Sequence, residues 1–114
     1  MRFLVSIAIL LISNSSIAGT ASGQVTEIIA HTDGGNGHGV FMFYIEGQRD
    51  NTPPCSTVGG GKAWAMSLEK ESGRAMYSLL LSAQAQGKTV SVFGRGNCDS
   101  WGDREEPHYI NLIN

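Results

Sequence analysis

Val40–Glu46 reads VFMFYIE and carries the strongest β-strand signal in the chain. Aromatic and β-branched residues of this kind favour strands. Apolar residues occupy both of its alternating sets: Val40, Met42 and Tyr44, and Phe41, Phe43 and Ile45. A strand that packs on one side only alternates apolar with polar residues. The pattern therefore predicts a strand that is covered on both faces, by the core and by a second layer.

Weaker strand patterns lie on both sides of this stretch. We predict strands over residues 25–32, 62–68, 89–94 and 108–113. Residues 19–24 are small and polar and are expected to form a mobile start of the domain. Trp64 lies within a strand pattern, which predicts a place in the core.

One helix is predicted, over Ser72–Gln86, with Ser72 as its N-cap and Gly87 as the left-handed residue after its end. Its core stripe follows helical spacing: Met76, Leu79, Leu80 and Ala83. Tyr77 and Leu81 lie off this stripe. Two interpretations stay open, ordinary exposure of apolar residues or a second packing partner such as another subunit.

The predicted element order is β-β-β-α-β-β, which indicates a mainly β fold with one helix. This is the order of an OB-fold, a small five-stranded barrel with a helix at one end. Closure of the barrel would also remove exposed strand edges. An open α+β sandwich with the helix on one face is the alternative. A chain of 114 residues has room for one such domain, which we place at residues 19–114.

The first 18 residues have the plan of a secretory signal peptide. Arg2 is followed by the apolar run Phe3–Ile12, and Ser16-Ile17-Ala18 offers small residues before a cleavage site. The run is shorter than the roughly 20 apolar residues that span a bilayer. We expect cleavage after Ala18, with cleavage after Ala21 as the alternative, and a secreted or periplasmic mature protein.

Cys55 and Cys98 are the two cysteines of the chain. In an oxidising compartment such a pair most simply forms one disulfide. A redox pair or a pair of metal ligands is the alternative. The sequence contains no C-x-x-C, and two cysteines so far apart do not resemble a zinc site.

The charge balance and the motifs exclude several classes of function. The formal charge of −2 does not suit a general nucleic-acid binder, which needs a basic excess. The chain has no Gly-x-Ser-x-Gly nucleophile elbow, and we expect no enzymatic activity and no cofactor. His31, Asp33 and His38 do not have the spacing of a known metal site, so no metal is predicted.

Two loops are candidates for ligand binding, because in OB-folds the loops between strands 1 and 2 and between strands 4 and 5 commonly hold ligands. Here they span residues 31–39, with His38, and 97–107, with Trp101 between Asp99 and Asp103. An aromatic face can stack on a sugar ring while carboxylates bond its hydroxyls. In the alternative interpretation, Trp101 folds back over a barrel end or the disulfide.

Three motifs carry a resemblance to known proteins: Asn51–Cys55 (NTPPC), Leu80–Val90 (LLSAQAQGKTV) and Gly94–Cys98 (GRGNC). Over residues 50–114 the chain resembles a group of small secreted bacterial proteins. Its layout is similar to the binding subunits of pentameric toxins, such as the subtilase-cytotoxin and pertussis-like B subunits. This resemblance implies an OB-fold that binds host glycans as a ring of subunits. It maps no sugar-contact residue onto a position of this chain.

These observations support three hypotheses. The first is a secreted, non-catalytic binding domain for a carbohydrate or surface ligand, which assembles as a homo-oligomeric ring. The second is a structural or interaction protein of the cell envelope without a small-molecule site. The third is a hydrolase inhibitor, supported only by the loop at Pro53-Pro54-Cys55.

Overall fold

The computed structural model describes residues 18–32 and 37–113. The predicted signal peptide, apart from Ala18, and Asp33 lie outside the described residues. The elements in chain order are β1 (Thr20–His31), β2 (Val40–Asp50), a 3₁₀ turn (Val58–Gly61), β3 (Ala63–Ser67), α1 (Glu71–Gln86), β4 (Thr89–Gly94) and β5 (Pro107–Ile113).

The strands form one antiparallel sheet in the order β3-β2-β1-β4-β5. The mainly β class and the predicted element order, with one helix after the third strand, are confirmed. The predicted closed barrel is wrong, because within the described residues the edge strands β3 and β5 do not pair. An isolated bridge joins Trp64 of β3 to Glu105, in the loop before β5. β5 begins two residues later, at Pro107. Proline has no N–H to donate, so it cannot extend this bridge into a ladder.

The first strand begins earlier than its sequence suggests. Residues 20–24, expected to be mobile, pair with both β2 and β4. Gly23 and Gly47 face each other across the β1–β2 ladder with φ of 154° and 134°. A Cβ on Gly23 would lie 1.7 Å from the carbonyl oxygen of Glu46. The close approach of the two backbones therefore requires glycine, and glycine is the residue that hides this strand from pattern analysis.

The main core lies between the sheet and α1. Its buried residues are Ala21, Val25, Phe41, Phe43, Ile45, Trp64, Met66, Leu80, Ala83, Val90, Val92 and Ile110. The core position predicted for Trp64 is confirmed.

A second, smaller apolar cluster covers the opposite face of β2. It consists of the buried residues Val40, Met42 and Ala65, with Ile29 and Trp101 packed against them. Successive side chains of a strand point to opposite faces, so β2 contributes alternate residues to the two clusters. The prediction of a strand covered on both faces is confirmed. On this second face Ile29 is a neighbour in the same sheet, and Trp101 is the covering residue from outside it.

The helix differs from its prediction at the N-terminal end. It begins at Glu71, and Lys70 occupies the cap position with no side-chain cap hydrogen bond, so Ser72 is not the N-cap. Gly73 packs against β3, where an added Cβ would lie 2.0 Å from the Ser67 carbonyl oxygen. The predicted C-terminal end is confirmed, with Gly87 at φ 62°.

The wide apolar surface of α1 has two different environments. Tyr77 packs on Phe41, with ring centroids 5.3 Å apart, and so belongs to the core of this chain. Leu81 remains 43% exposed. Of the two off-stripe residues, only Leu81 is therefore left as a possible contact for a further packing partner.

Cys55 and Cys98 form the predicted disulfide. It joins the segment after β2 to the loop between β4 and β5. No helix among residues 18–32 and 37–113 is long and apolar enough to cross a membrane.

We predict that replacing both cysteines, Cys55→Ser with Cys98→Ser, lowers the free energy of unfolding by about 4 kcal/mol, because the crosslink limits the unfolded chain. Urea unfolding monitored by tryptophan fluorescence measures the loss. Reduction of the wild-type protein is the control and should give a similar shift. Equal stability of the oxidised wild type and the double variant would contradict the prediction.

Candidate functional site

The segment between β4 and β5 contains a fully buried carboxylate, that of Glu105. Glu105 has no exposed surface, and its Oε1 accepts a hydrogen bond from Nη2 of Arg49 at 2.6 Å. Its Oε2 accepts from the backbone N–H groups of Gly19, at 3.0 Å, and Gly96, at 2.9 Å. A buried charge is tolerated when it is paired and hydrogen-bonded in this way.

Glycine at position 94 makes room for the Glu105 carboxylate. A Cβ on Gly94 would lie 1.8 Å from Oε2. The guanidinium of Arg49 lies over the Trp64 ring, 4.1 Å from its centroid, and its Nε donates to the Gly61 carbonyl at 2.8 Å. These contacts fix Arg49 in the orientation that meets Glu105.

The backbone of Glu105 also binds two other segments. Its N–H donates to the hydroxyl of Ser56 at 3.2 Å, and its carbonyl accepts from the Ala65 N–H at 3.1 Å. Glu105 is not among the residues predicted for the site. The nearby Gly94-Arg95-Gly96 was the available signal, because two of its residues make space for Glu105 or donate to it.

The segment of residues 95–106, here called the β4–β5 loop, is therefore held at several points. The Arg95 N–H donates to the Glu106 carbonyl at 2.9 Å, and the Glu106 N–H donates to the Asn97 carbonyl at 2.8 Å. Cys98 anchors its middle through the disulfide. A loop constrained in this way can present side chains in a fixed arrangement.

A cleft of about 320 Å³ opens between this loop, the end of β3 and the start of α1. We call it the polar cleft. Its charged or titratable lining residues are His38, Glu69, Lys70, Arg95, Asp99 and Glu106. Val40 and Met66 contribute an apolar part of the wall.

Hydrogen bonds connect the β4–β5 loop to β3 within the polar cleft. The Ser100 hydroxyl donates to Oε1 of Glu106 and accepts the Ser67 N–H at 3.1 Å. Arg95 Nε lies 3.5 Å from Oε2 of Glu106. Both Glu106 oxygens thus have partners, and the loop side of the cleft is positioned before any ligand arrives.

The opposite wall is more exposed. His38 Nε2 lies 3.5 Å from Oε1 of Glu69, and both side chains are about half exposed. Lys70 on this wall is also exposed, as is Asp99 on the loop side of the cleft. The lining contains two cations, Lys70 and Arg95, and three carboxylates.

The residues predicted as ligand contacts separate into two pairs. His38 and Asp99 line the polar cleft. Trp101 and Asp103 do not. Asp103 pairs with Arg104 at 3.1 Å, and its carbonyl accepts the Thr57 N–H at 3.0 Å.

Trp101 folds back onto the protein. It packs against the cluster of Val40, Met42 and Ala65, and its ring centroid lies 4.8 Å from that of His31. It therefore covers the second face of β2. The sequence had suggested a barrel end or the disulfide as the place where Trp101 packs.

A second, shallower depression of about 230 Å³ lies over the start of β1. Its lining includes Thr20, Ser22, Gln48, Asp50, Ser91 and Phe93. Phe93 stacks on Tyr109 with ring centroids 4.5 Å apart. The lining residues come from three different strands, so no local sequence pattern predicts this depression.

Residues 18–32 and 37–113 contain no cluster of three or more His, Cys, Asp or Glu side chains that could hold a metal ion. Asp33, one of the three candidates weighed from sequence, lies outside these residues.

We predict that Glu105→Ala lowers the free energy of unfolding by about 3–5 kcal/mol, because it leaves Arg49 as an unpaired buried charge. Glu46→Ala is the matched control: its carboxylate pairs with Lys62 at 3.4 Å on the surface. That exposed pair should contribute less than about 1 kcal/mol. Chemical denaturation of both variants measures the difference, and equal losses would contradict the role given to Glu105.

We predict that Trp101→Ala lowers the free energy of unfolding by about 2 kcal/mol, because it uncovers the second cluster while leaving the main core intact. Trp101→Phe retains part of the apolar contact and should lose less. Thermal unfolding followed by circular dichroism measures both losses. A Trp101→Ala protein as stable as the wild type would contradict the packing role.

Comparisons with protein-family models, with curated proteins and with solved structures give no match to this chain. None of them links it to the binding subunits of pentameric toxins. The resemblance described from its sequence motifs therefore stays a prediction.

Proposed function

We propose that this chain is an exported, non-catalytic domain that binds a neutral or amino-bearing saccharide in the polar cleft. The observation that carries the proposal is the cleft itself. It joins His38, from the segment before β2, to Arg95, Asp99 and Glu106 of the β4–β5 loop. These are the two connections in which the sequence predicts ligand contacts.

The side chains of the cleft suit the chemistry of sugars. Each sugar hydroxyl can both donate and accept a hydrogen bond. Asp99 and Glu106 offer carboxylate acceptors, and Lys70 and Arg95 offer cationic donors. The excess of carboxylates favours a neutral or amino sugar over an acidic one.

Rigidity of the β4–β5 loop supports a binding role. A site that is ordered before its ligand arrives loses less entropy on binding. Here the disulfide at Cys98, the buried Glu105 and the hydrogen bonds of Ser100 hold the loop. Saccharides form few apolar contacts, so this saving matters for their affinity.

Export is the second part of the proposal. Disulfides persist in oxidising compartments and are rare in the cytosol. The Cys55–Cys98 bond therefore fits the secretory signal predicted over residues 1–18. A secreted or periplasmic location also gives the domain access to cell-surface glycans. The ring of subunits implied by the toxin resemblance is part of this proposal.

The alternative function is an envelope interaction protein without a small-molecule site. Three large apolar side chains favour it, because Leu81, Tyr109 and Ile113 are each more than 40% exposed. Exposed apolar surface of this kind can take part in protein contacts. Under this alternative the polar cleft has no ligand, and substitutions within it do not affect binding of the partner.

We predict that Asp99→Asn weakens binding of a saccharide selected on a glycan array at least about tenfold, a loss of about 1.4 kcal/mol. The reason is the loss of a charged acceptor in the cleft. Titration calorimetry on the oxidised protein measures the affinity. Asp103→Asn is the matched control, since this loop carboxylate lies outside the cleft, and its affinity should equal that of the wild type.

Two outcomes would contradict the proposed function. One is the absence of any saccharide ligand on the array for a folded, disulfide-bonded protein. The other is an equal effect of the two aspartate substitutions, which would place the ligand elsewhere on the surface.

A further inference from the structure

The transition from exposed to buried chain falls between Ala18 and Gly19. Ala18 is exposed, whereas Gly19 is buried. The Gly19 N–H donates to Oε2 of Glu105 at 3.0 Å, and its carbonyl accepts the Gly94 N–H at 2.8 Å. Gly19 is therefore the first buried residue among those that the structure describes.

Gly19 occupies a place that no other residue fits. An added Cβ would lie 2.2 Å from Nη1 of Arg49 and 2.4 Å from Oε1 of Glu105. The backbone of this residue reaches the buried ion pair because it has no side chain. Gly19 does not line the polar cleft, and the signal peptide was predicted without reference to this contact.

The structure also separates the two cleavage positions that the sequence left open. Cleavage after Ala21 would remove Gly19, Thr20 and Ala21. Thr20 and Ala21 pair with both β2 and β4, and Ala21 is a buried core residue. Loss of residues 19–21 would leave Glu105 without the Gly19 donor and would shorten β1, the central strand of the sheet. Cleavage after Ala18 leaves every one of these contacts in place.

We propose that the chain is processed between Ala18 and Gly19, and that the freed α-amino group of Gly19 becomes a second cationic partner of Glu105. A leader peptidase would hydrolyse this amide bond. Water supplies the hydroxyl of the new Ala18 carboxyl group and a proton for the Gly19 amine. The inference rests on the export part of the proposed function.

Processing changes the chemistry of the contact. In the precursor the donor to Oε2 is a neutral amide N–H. In the mature chain it is an α-amino group, and the neighbouring Glu105 carboxylate favours its protonated form. A hydrogen bond between two charged groups is stronger than one from a neutral donor. Arg49 holds Oε1 and the Gly19 amine holds Oε2, so each carboxylate oxygen has its own cation.

The first test uses the full chain, with its own leader, expressed in a bacterial host that exports proteins to the periplasm. The intact mass of the exported protein under non-reducing conditions defines its first residue. We expect the mass of residues 19–114 with one disulfide. A protein that starts at Ser22, or one that keeps its leader, would overturn the inference.

The second test measures whether the new amine is captured. We expect an amine-reactive ester to label the Gly19 α-amine at least about tenfold more slowly in the folded protein than in the denatured one, because labelling requires local opening. Lys70 is exposed and serves as the internal reference. Glu105→Gln should raise the rate in the folded state. Equal Gly19 rates in folded and denatured wild type would overturn the inference, whether or not the variant folds.

The two proposals can fail separately. A protein that starts at Gly19, with a protected amine, and binds no saccharide would contradict the binding function and support the processing inference. A protein that binds saccharide but starts at Ser22 would do the reverse.

Discussion

The carboxylate of Glu105 lies where the start of β1, the end of β2 and the β4–β5 loop meet. It is removed from water, which is costly for a charged group unless the protein replaces its hydration. Arg49, Gly19 and Gly96 supply that replacement, each from a different segment. Because all three must be in place together, the interaction couples segments that are far apart in sequence. The disulfide acts on the same loop through Cys98.

The polar cleft depends on this constraint. The loop wall of the cleft contains Arg95, Asp99 and Glu106. Asp99 lies between the anchored residues Gly96 and Glu105, and Arg95 and Glu106 directly flank them in sequence. Trp101, in the same loop, covers the second apolar cluster and thus fastens the loop to the sheet. Trp101, which the sequence marked as a ligand contact, packs on this cluster, while Asp99 of the same loop lines the polar cleft. Stability and presentation of the site therefore come from the same short segment.

Sequence patterns predicted those parts of the fold that rest on local signals. The apolar stretch of β2 revealed a strand covered on both sides, and Gly87 marked the end of α1. The first half of β1 escaped because its glycines serve a close backbone approach that no local pattern encodes. Barrel closure was predicted wrongly because element order does not show which strands pair. Here Pro107 follows the Trp64–Glu105 bridge and cannot extend it into a ladder. His38 and Asp99, which line the polar cleft, were predicted from their loop positions, whereas the burial of Glu105 depends on partners in distant segments.

Hydrogen exchange at the Gly96 amide tests the role of Glu105 most directly. This N–H lies in a loop, outside the strand ladders, and its acceptor is the buried Oε2 of Glu105. If the carboxylate holds the loop, Gly96 should exchange as slowly as Val92 in β4, through unfolding of the whole domain. Gly102, an exposed residue of the same loop, should exchange much faster. Exchange at Gly96 as fast as at Gly102 would contradict the account.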